Sequence, residues 1–389
     1  MVRLTNQKWF YLSFSLILLV FSSYILVAGL SDNATTNIGV DFDYRVYQGA
    51  VFAFNSGLDP YILSNLPGVL PYTYLPHMLI FLSLLVNSFV YHLFILVILG
   101  ISFYFVLKLD NTPDVLFLSL LFFVYSMNAY WTFLTGNISG PLFLLFTTLS
   151  FYLLKDNHYN LSALSLGFMS SWSVFPLIFS FSFLSIPRSL LFRVRLILIS
   201  FSVPILLFIV SYILNPGLGW SFLGSLTSDN SALRDMGGVD TPQPNLLFDH
   251  LATQLGLSWH FSLICLVLFG FLILFLSYLF LKQNPNSKML VYSYLFLAAF
   301  LLLPRIKPYY FILLVVPLYL LMKEYNYELK LLVLGIFSLP YLIFLNSWLT
   351  PGQRWFPSLF YLYSPILSLF VLFIFIFLIN RRIGTNFIK

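Results

Sequence analysis

The chain has 389 residues, 60% of them hydrophobic and 8% charged. With a mean hydropathy of +0.93, it has too little polar surface to cover a water-soluble globule, whose charged fraction is nearer roughly 25%. The single cysteine, Cys265, excludes a disulfide framework, and the net charge of +6 is spread in a way that argues against a nucleic-acid partner.

The N-terminal segment has basic residues Arg3 and Lys8 followed by an apolar run from Trp9 to Leu30. A signal-peptide core is about 7–15 residues, whereas crossing a bilayer takes about 20. The run therefore reads as an uncleaved first span. Further apolar runs place spans at 74–87, 89–107, 114–130, 138–154, 161–184, 192–213, 258–281, 289–304, 308–323, 329–346 and 358–380. The expected fold is all-α: one polytopic membrane domain over residues 1–389 with about 12 transmembrane helices. No internal repeat interrupts it.

Lys/Arg bias in short loops sets orientation. With the N-terminus inside, the inner segments carry Arg3, Lys8, Arg188, Arg193, Arg195, Lys282, Lys288, Lys323, Lys330, Arg381, Arg382 and Lys389, which is 12 of the 19 basic residues. In this scheme only Glu324 and Glu328 of the 13 acids lie inside. Both termini are expected in the cytoplasm of a multi-pass cell-membrane protein. Two long outer loops, 31–73 and 214–257, are rich in Gly, Pro, Asn and Asp and form the expected active-site face. No span interior contains a clear Asp, Glu, Lys or Arg, whereas a coupled transporter ordinarily needs an ionisable group at membrane depth. That layout suits an enzyme working at the outer interface. A flippase or transporter of lipid-linked sugars is the rival, as is a non-catalytic scaffold.

Residues 44–54 alternate polar and apolar positions at near-helical spacing and stop at Gly57 and Pro60. They read as an amphipathic helix lying on the outer surface, with Asp41 and Asp43 at its head. An isolated Asp at such a place is ordinarily an N-cap. However, Asp43-x-x-Val46-Tyr47, Gly57-x-x-Pro60-Tyr61 and Pro71-Tyr72-x-Tyr74-x-Pro76 together resemble the opening signature of the C-type glycosyltransferase superfamily. More narrowly, they are similar to its polyprenyl-phosphate-mannose-dependent mannosyltransferases, the branch that holds the mycobacterial phosphatidylinositol-mannoside enzymes. Leu75-Pro76 stands where a Pro-Pro pair is common in that branch. Gly136-Asn137-Ile138-Ser139 partly resembles its Gly-Gln-x-Asn element, and Ser173 stands where a Lys is usual.

The resemblance implies an inverting transfer of a hexose, mannose foremost, from a polyprenyl-phosphate donor to a glycolipid or glycan acceptor. It implies no cofactor and no nucleotide-binding domain. Asp43, or else Asp41, is the expected general base, with Arg45 holding the carboxylate ionised or meeting the donor phosphate. Arg305 and Lys307, followed by Tyr309, are cations on the outer side, against the positive-inside trend. They suit a leaving phosphate, or else snorkel beside an aromatic belt. Tyr47, Tyr61, His77, Arg234 and Asn245 complete the expected substrate-binding set; His77 reads equally as a plain interfacial histidine. Asp249-His250 lacks a third ligand at metal-site spacing and reads as capping or interfacial hydrogen bonding. Asn33-Ala34-Thr35 is a sequon in the outer loop. Asn137-Ile138-Ser139 and Asn160-Leu161-Ser162 also match that pattern, the former in a segment expected inside.

Overall fold

The computed structural model describes residues 41–66, 72, 74–110, 112–124, 132, 135–227, 243–303, 306–337 and 358–386. The fold is all-helical, 81% helix, with no strand among them. The expected spans at 9–30 and, in part, 114–130 and 329–346 lie outside these residues, as do Arg234 and Arg305.

Helix α1 (Phe42–Asn55) follows the periodicity of its sequence: Tyr44, Tyr47, Ala50, Val51 and Ala53 are buried, while Arg45 and Phe52 face outward. It ends where expected, with Gly57 at φ 73, a conformation glycine adopts without Cβ strain. Residues 71–108, expected to cross twice, instead form a short helix, α2 (His77–Ser83), and one long helix, α3 (Ser88–Leu109). The break comes at Asn87, whose side chain caps α3 by accepting from the Val90 amide at 3.2 Å. Seven residues of α2 cover only about 10 Å at 1.5 Å per residue, well short of a bilayer core.

Helix α4 (Val115–Ser119) runs on as a π-turn over Leu120–Val124. Helices α5 (Ser139–Lys155) and α6 (Tyr159–Trp172) follow. The run expected as one span at 161–184 divides at Ser173, which is extended at φ −147, ψ 135. A 3₁₀ segment, Phe175–Ser185, continues beyond it with Pro176 in its first turn. Then come α7 (Leu190–Leu214), α8 (Pro216–Thr227), α9 (Pro244–Gln254), α10 (Trp259–Gln283) and α11 (Lys288–Leu301). A 3₁₀ turn, Pro308–Leu314, leads into α12 (Val315–Met322), and α13 (Ser358–Asn386) closes the fold. Four described stretches, Ser88–Leu109, Leu190–Leu214, Trp259–Gln283 and Tyr363–Arg381, are long and apolar enough to cross a membrane. Small residues let the helices approach closely. A Cβ on Gly167 of α6 would lie 2.7 Å from the Ser200 carbonyl oxygen of α7, and the Ser150 and Ser162 hydroxyls meet at 2.8 Å between α5 and α6.

Polar contacts at the helix ends revise the expected sidedness. The 135–137 loop, expected inside, touches the head of α1, as described below. At the opposite end, Lys155 donates to the Lys108 carbonyl at 2.9 Å and Lys288 donates to Asn157 at 2.8 Å. Segments 108–114 and 155–160, expected outside, therefore join 188–193, 282–288 and 323–330 on one basic face. Asp110, Asp114 and Asp156 move there with them. Helix α2 is too short to cross and the 161–184 run breaks at Ser173, so the segments between these two points lie on the face opposite to the one expected.

On that basic face Lys330, 6% exposed, donates to Asp114 at 2.9 Å. Asp114 also caps α4 through the Phe117 amide, and Tyr319 bridges the Asp114 amide and the Asp110 carboxylate. Removing one partner of such a buried pair costs about 3–5 kcal/mol. The neighbouring Lys323–Glu324 pair, with Glu324 83% exposed, contributes about 1 kcal/mol at most. The buried cluster is thus what ties α4 to α12 and to helical residues 327–337.

In a Cys265→Ser background, Thr112→Cys and Asn160→Cys are expected to react with a membrane-impermeant maleimide from one side of the membrane. Ser56→Cys and Leu257→Cys should react from the other. Labelling of position 160 from the same side as position 56 would restore the expected sidedness and overturn the one described here.

Candidate active site at the head of α1

Helix α1 begins with Asp41 in the left-handed conformation (φ 60, ψ 25), which Asp tolerates better than most residues. Asp41 occupies the cap position but makes no side-chain cap bond. Its carboxylate instead pairs with His92 Nε2 of α3 at 2.9 Å. The other ring nitrogen, Nδ1, lies 2.8 Å from the Ser88 carbonyl oxygen. Both nitrogens thus face oxygens.

The unpaired amides of the first turn are met by the 135–137 loop. The Asp43 amide donates to the Thr135 carbonyl at 2.8 Å. Gly136, at φ 67, lets the loop come this close: a Cβ there would stand 3.1 Å from Asp41 Oδ1 and from Tyr44 Cβ. Tyr91 of α3 donates to the Gly136 carbonyl. Asn137 then works in two directions. Its Oδ1 accepts from the Ser139 and Gly140 amides at 2.9 and 3.2 Å, starting α5, while its Nδ2 donates to Asp43 Oδ2 at 3.2 Å.

Asp43 is partly buried. Thr135 Oγ1 and Asn137 Nδ2 both donate to its Oδ2, at 2.5 and 3.2 Å. No described side chain is bonded to Oδ1. Burial pushes the carboxyl up to about 6, against the pull of those two donors and of the Lys307 charge. The group is therefore ionised at neutral pH yet able to take a proton, the tuning a general base needs. Among the described residues, the cation whose field reaches Asp43 is Lys307. Residues two apart on a helix point to different sides, and Arg45 is exposed.

An aromatic wall flanks the carboxylate. The Tyr47 and Tyr74 hydroxyls are 3.0 Å apart. Tyr74 is reached by Ser139 Oγ at 3.4 Å, which in turn accepts from Trp172 Nε1 at 2.7 Å. Tyr309 also lies within reach of the Tyr74 hydroxyl, and Tyr61 donates to the Tyr74 carbonyl at 2.8 Å. Of the expected set, Asp43, Tyr47, Tyr61, Lys307 and Tyr309 therefore gather here, with Asp41 beside them. His77 heads α2 with both ring nitrogens buried and unpartnered. No described contact joins Asn245, the second residue of α9, to the cluster. Asp249 accepts from Ser262, and His250 pairs with the Tyr363 hydroxyl at 2.6 Å, so both make hydrogen bonds as expected. No group of metal-ligating residues occurs among the described residues. Thr135, His92 and Trp172 are members that sequence reasoning missed. Asn137 was noticed for its motif, but on the wrong side of the membrane to meet Asp43.

The family model described as Glycosyltransferase family 87 matches residues 69–304, more than half of the chain. The match takes in Tyr74, the 135–137 loop and Trp172; Asp43 and Lys307 lie outside it. No curated protein matches the chain.

The carboxyl of Asp43, followed by infrared difference spectroscopy against Asp43→Asn, is expected to be half-protonated near pH 6. Thr135→Val removes a donor that favours the ionised form and should move this midpoint to higher pH. An unchanged midpoint would mean that Thr135 does not hold the carboxylate.

Proposed function

Because the chain belongs to glycosyltransferase family 87, we propose that it transfers a hexose from a polyprenyl-phosphate sugar to a hydroxyl of a glycolipid or glycan at the outer face of the cell membrane. Mannose is the sugar that the resemblance of residues 41–76 favours. The observation that carries the reading is the Asp43 carboxylate, with Oδ2 engaged by Thr135 and Asn137 and Lys307 within Coulombic reach.

The chemistry follows from that arrangement. With Oδ2 engaged, Oδ1 is the oxygen left to accept the proton of the acceptor hydroxyl. As that proton moves to Asp43, the acceptor oxygen forms a bond to the anomeric carbon from the face opposite the phosphate. The bond from the anomeric carbon to the phosphate oxygen breaks, its electron pair leaves with the lipid phosphate, and the configuration inverts. The leaving group gains negative charge, which Lys307, and Arg305 two residues before it, would offset. Tyr74, the partly exposed member of the Tyr47–Tyr74–Ser139–Trp172 chain, offers a ring and a hydroxyl to a sugar, and the three buried members hold it in place. Asp41 is committed to His92, which favours Asp43 over it as the base.

Asp43→Asn keeps the size and capping ability of the residue but cannot take a proton. Transfer measured with a polyprenyl-phosphate mannose donor should fall by about a hundredfold or more, with melting temperature and donor binding retained. Asp41→Asn should lose far less. Full activity in Asp43→Asn with loss in Asp41→Asn would reverse the assignment, and full activity in both would refute the mechanism. In wild type, activity should decline as pH falls through about 6, because protonation of Asp43 removes the base.

A further inference from the structure

The basic face, at the end of the bundle remote from Asp43, carries a cavity of about 750 Å³ lined by Asn157, His158, Tyr159, Asn160, Leu161, Arg188, Ser189 and Phe192. This is within the size range of small-molecule sites. It forms where two turns meet: Asp156-Asn157-His158 between α5 and α6, and Pro187-Arg188-Ser189 ahead of α7. Asn157 takes the left-handed conformation (φ 64), and the His158 amide bonds back to the Leu153 carbonyl at 2.8 Å. That turn aims the start of α6 at the cavity.

Two cations share one ring there. The Arg188 guanidinium lies 6.0 Å, and the Lys288 ammonium 5.4 Å, from the centre of the Tyr159 ring. Lys288 is held in place by the Leu154 carbonyl and Asn157 Oδ1, both at 2.8 Å, and keeps one N–H in reserve. Arg193 is committed to the turn itself, donating to the Arg188 and Leu184 carbonyls at 2.9 Å each. Arg188 has no ion-pair partner among the described residues. Asp156, the acid nearest these cations, is within the field of Lys288 but is directed to Tyr152. The starts of α6 and α7 add the positive ends of two helix dipoles, and neither has an acid in its first turn. Lys155, Lys108 and Arg195 raise the potential of the whole face.

Apolar side chains adjoin this polar lining: Leu161 and Phe192 belong to it, and Leu161, Leu190 and Leu191 are 51%, 67% and 81% exposed. A cationic cavity with exposed leucines beside it matches a molecule with a phosphate at one end and hydrocarbon at the other.

We propose that this cavity seats the phosphate of an anionic phospholipid from the leaflet at the basic face. The phosphate oxygens accept from Arg188 and from the free N–H of Lys288, and the acyl chains run along Leu161 and Leu190. The site makes no use of Asp43 and stands independently of the reaction proposed above. It would anchor the 156–160 and 184–193 turns, which otherwise leave like charges side by side.

The test uses the full chain in nanodiscs of phosphatidylcholine, with and without a minor fraction of phosphatidylglycerol. Native mass spectrometry should show phosphatidylglycerol retained by wild type after release from the disc, together with a higher melting temperature. Arg188→Gln with Lys288→Gln should lower the apparent affinity for phosphatidylglycerol about tenfold or more, the worth of one charged hydrogen bond, and Arg188→Gln alone should lower it with melting in pure phosphatidylcholine unchanged. Arg188→Gln alone breaks no side-chain hydrogen bond among the described residues, so it gives the same test should the double variant be unstable. Retention by the variants equal to wild type overturns the proposal. Inorganic phosphate raising the wild-type melting temperature in pure phosphatidylcholine discs, with no phosphatidylglycerol retained, assigns the cavity to a soluble anion and also overturns it.

Discussion

The contact between the head of α1 and the 135–137 loop is the constraint on which the site depends. A carboxylate taken out of water must recover the lost hydrogen bonds from protein donors, or it takes up a proton. Here the donors come from a loop more than ninety residues further along the chain. The same loop accepts the first free amide of α1 and, through Asn137, caps α5. One short segment therefore fixes the carboxylate, the helix that carries it and the helix that runs away from it. Gly136 is what allows the approach, since any side chain there would meet Asp41 and Tyr44.

A second polar cluster acts at the opposite end. Asp110, Asp114, Tyr319 and Lys330 bind the start of α4 to α12 and the helix after it. Between the clusters the helices meet mostly through apolar and small side chains, which pack well but specify register weakly in an apolar surrounding. Polar groups that find partners at only one axial position supply that register. The two clusters thus place the ends of the bundle, and the aromatic chain from Tyr47 to Trp172 carries the alignment from the surface helix into the bundle.

The ends also differ chemically. At the Asp43 end a carboxylate tuned towards neutrality sits with Lys307 and a wall of tyrosines, which suits proton transfer and a leaving phosphate. At the other end cations outnumber acids, and Arg188 and Lys288 converge on Tyr159, which suits an anion that binds and stays. The first arrangement depends on burial to raise a pKa; the second depends on cations that can be reached from the lipid.

Composition alone determined that the chain is helical and belongs in a bilayer, because hydrophobic runs of this length cannot be covered in water. Periodicity over 44–54 and the Gly57 stop set out α1 almost to the residue, since burial of one face and a left-handed turn are local properties. The motif around Asp43 singled out this residue as a candidate for the same reason: the residue, its helix and its turn are contiguous. Sidedness was not local. Asn87 caps a helix within an unbroken apolar stretch, so residues 71–108 read as two crossings, which sets Asn137 and Thr135 on the face opposite to Asp43. Only the tertiary structure brought these two donors to one oxygen of Asp43, set Lys307 within Coulombic reach of it, and paired Asp41 with His92. Hydrogen bonds between residues fifty to a hundred positions apart leave no periodic trace in a sequence, because their geometry exists only once the helices between them have packed.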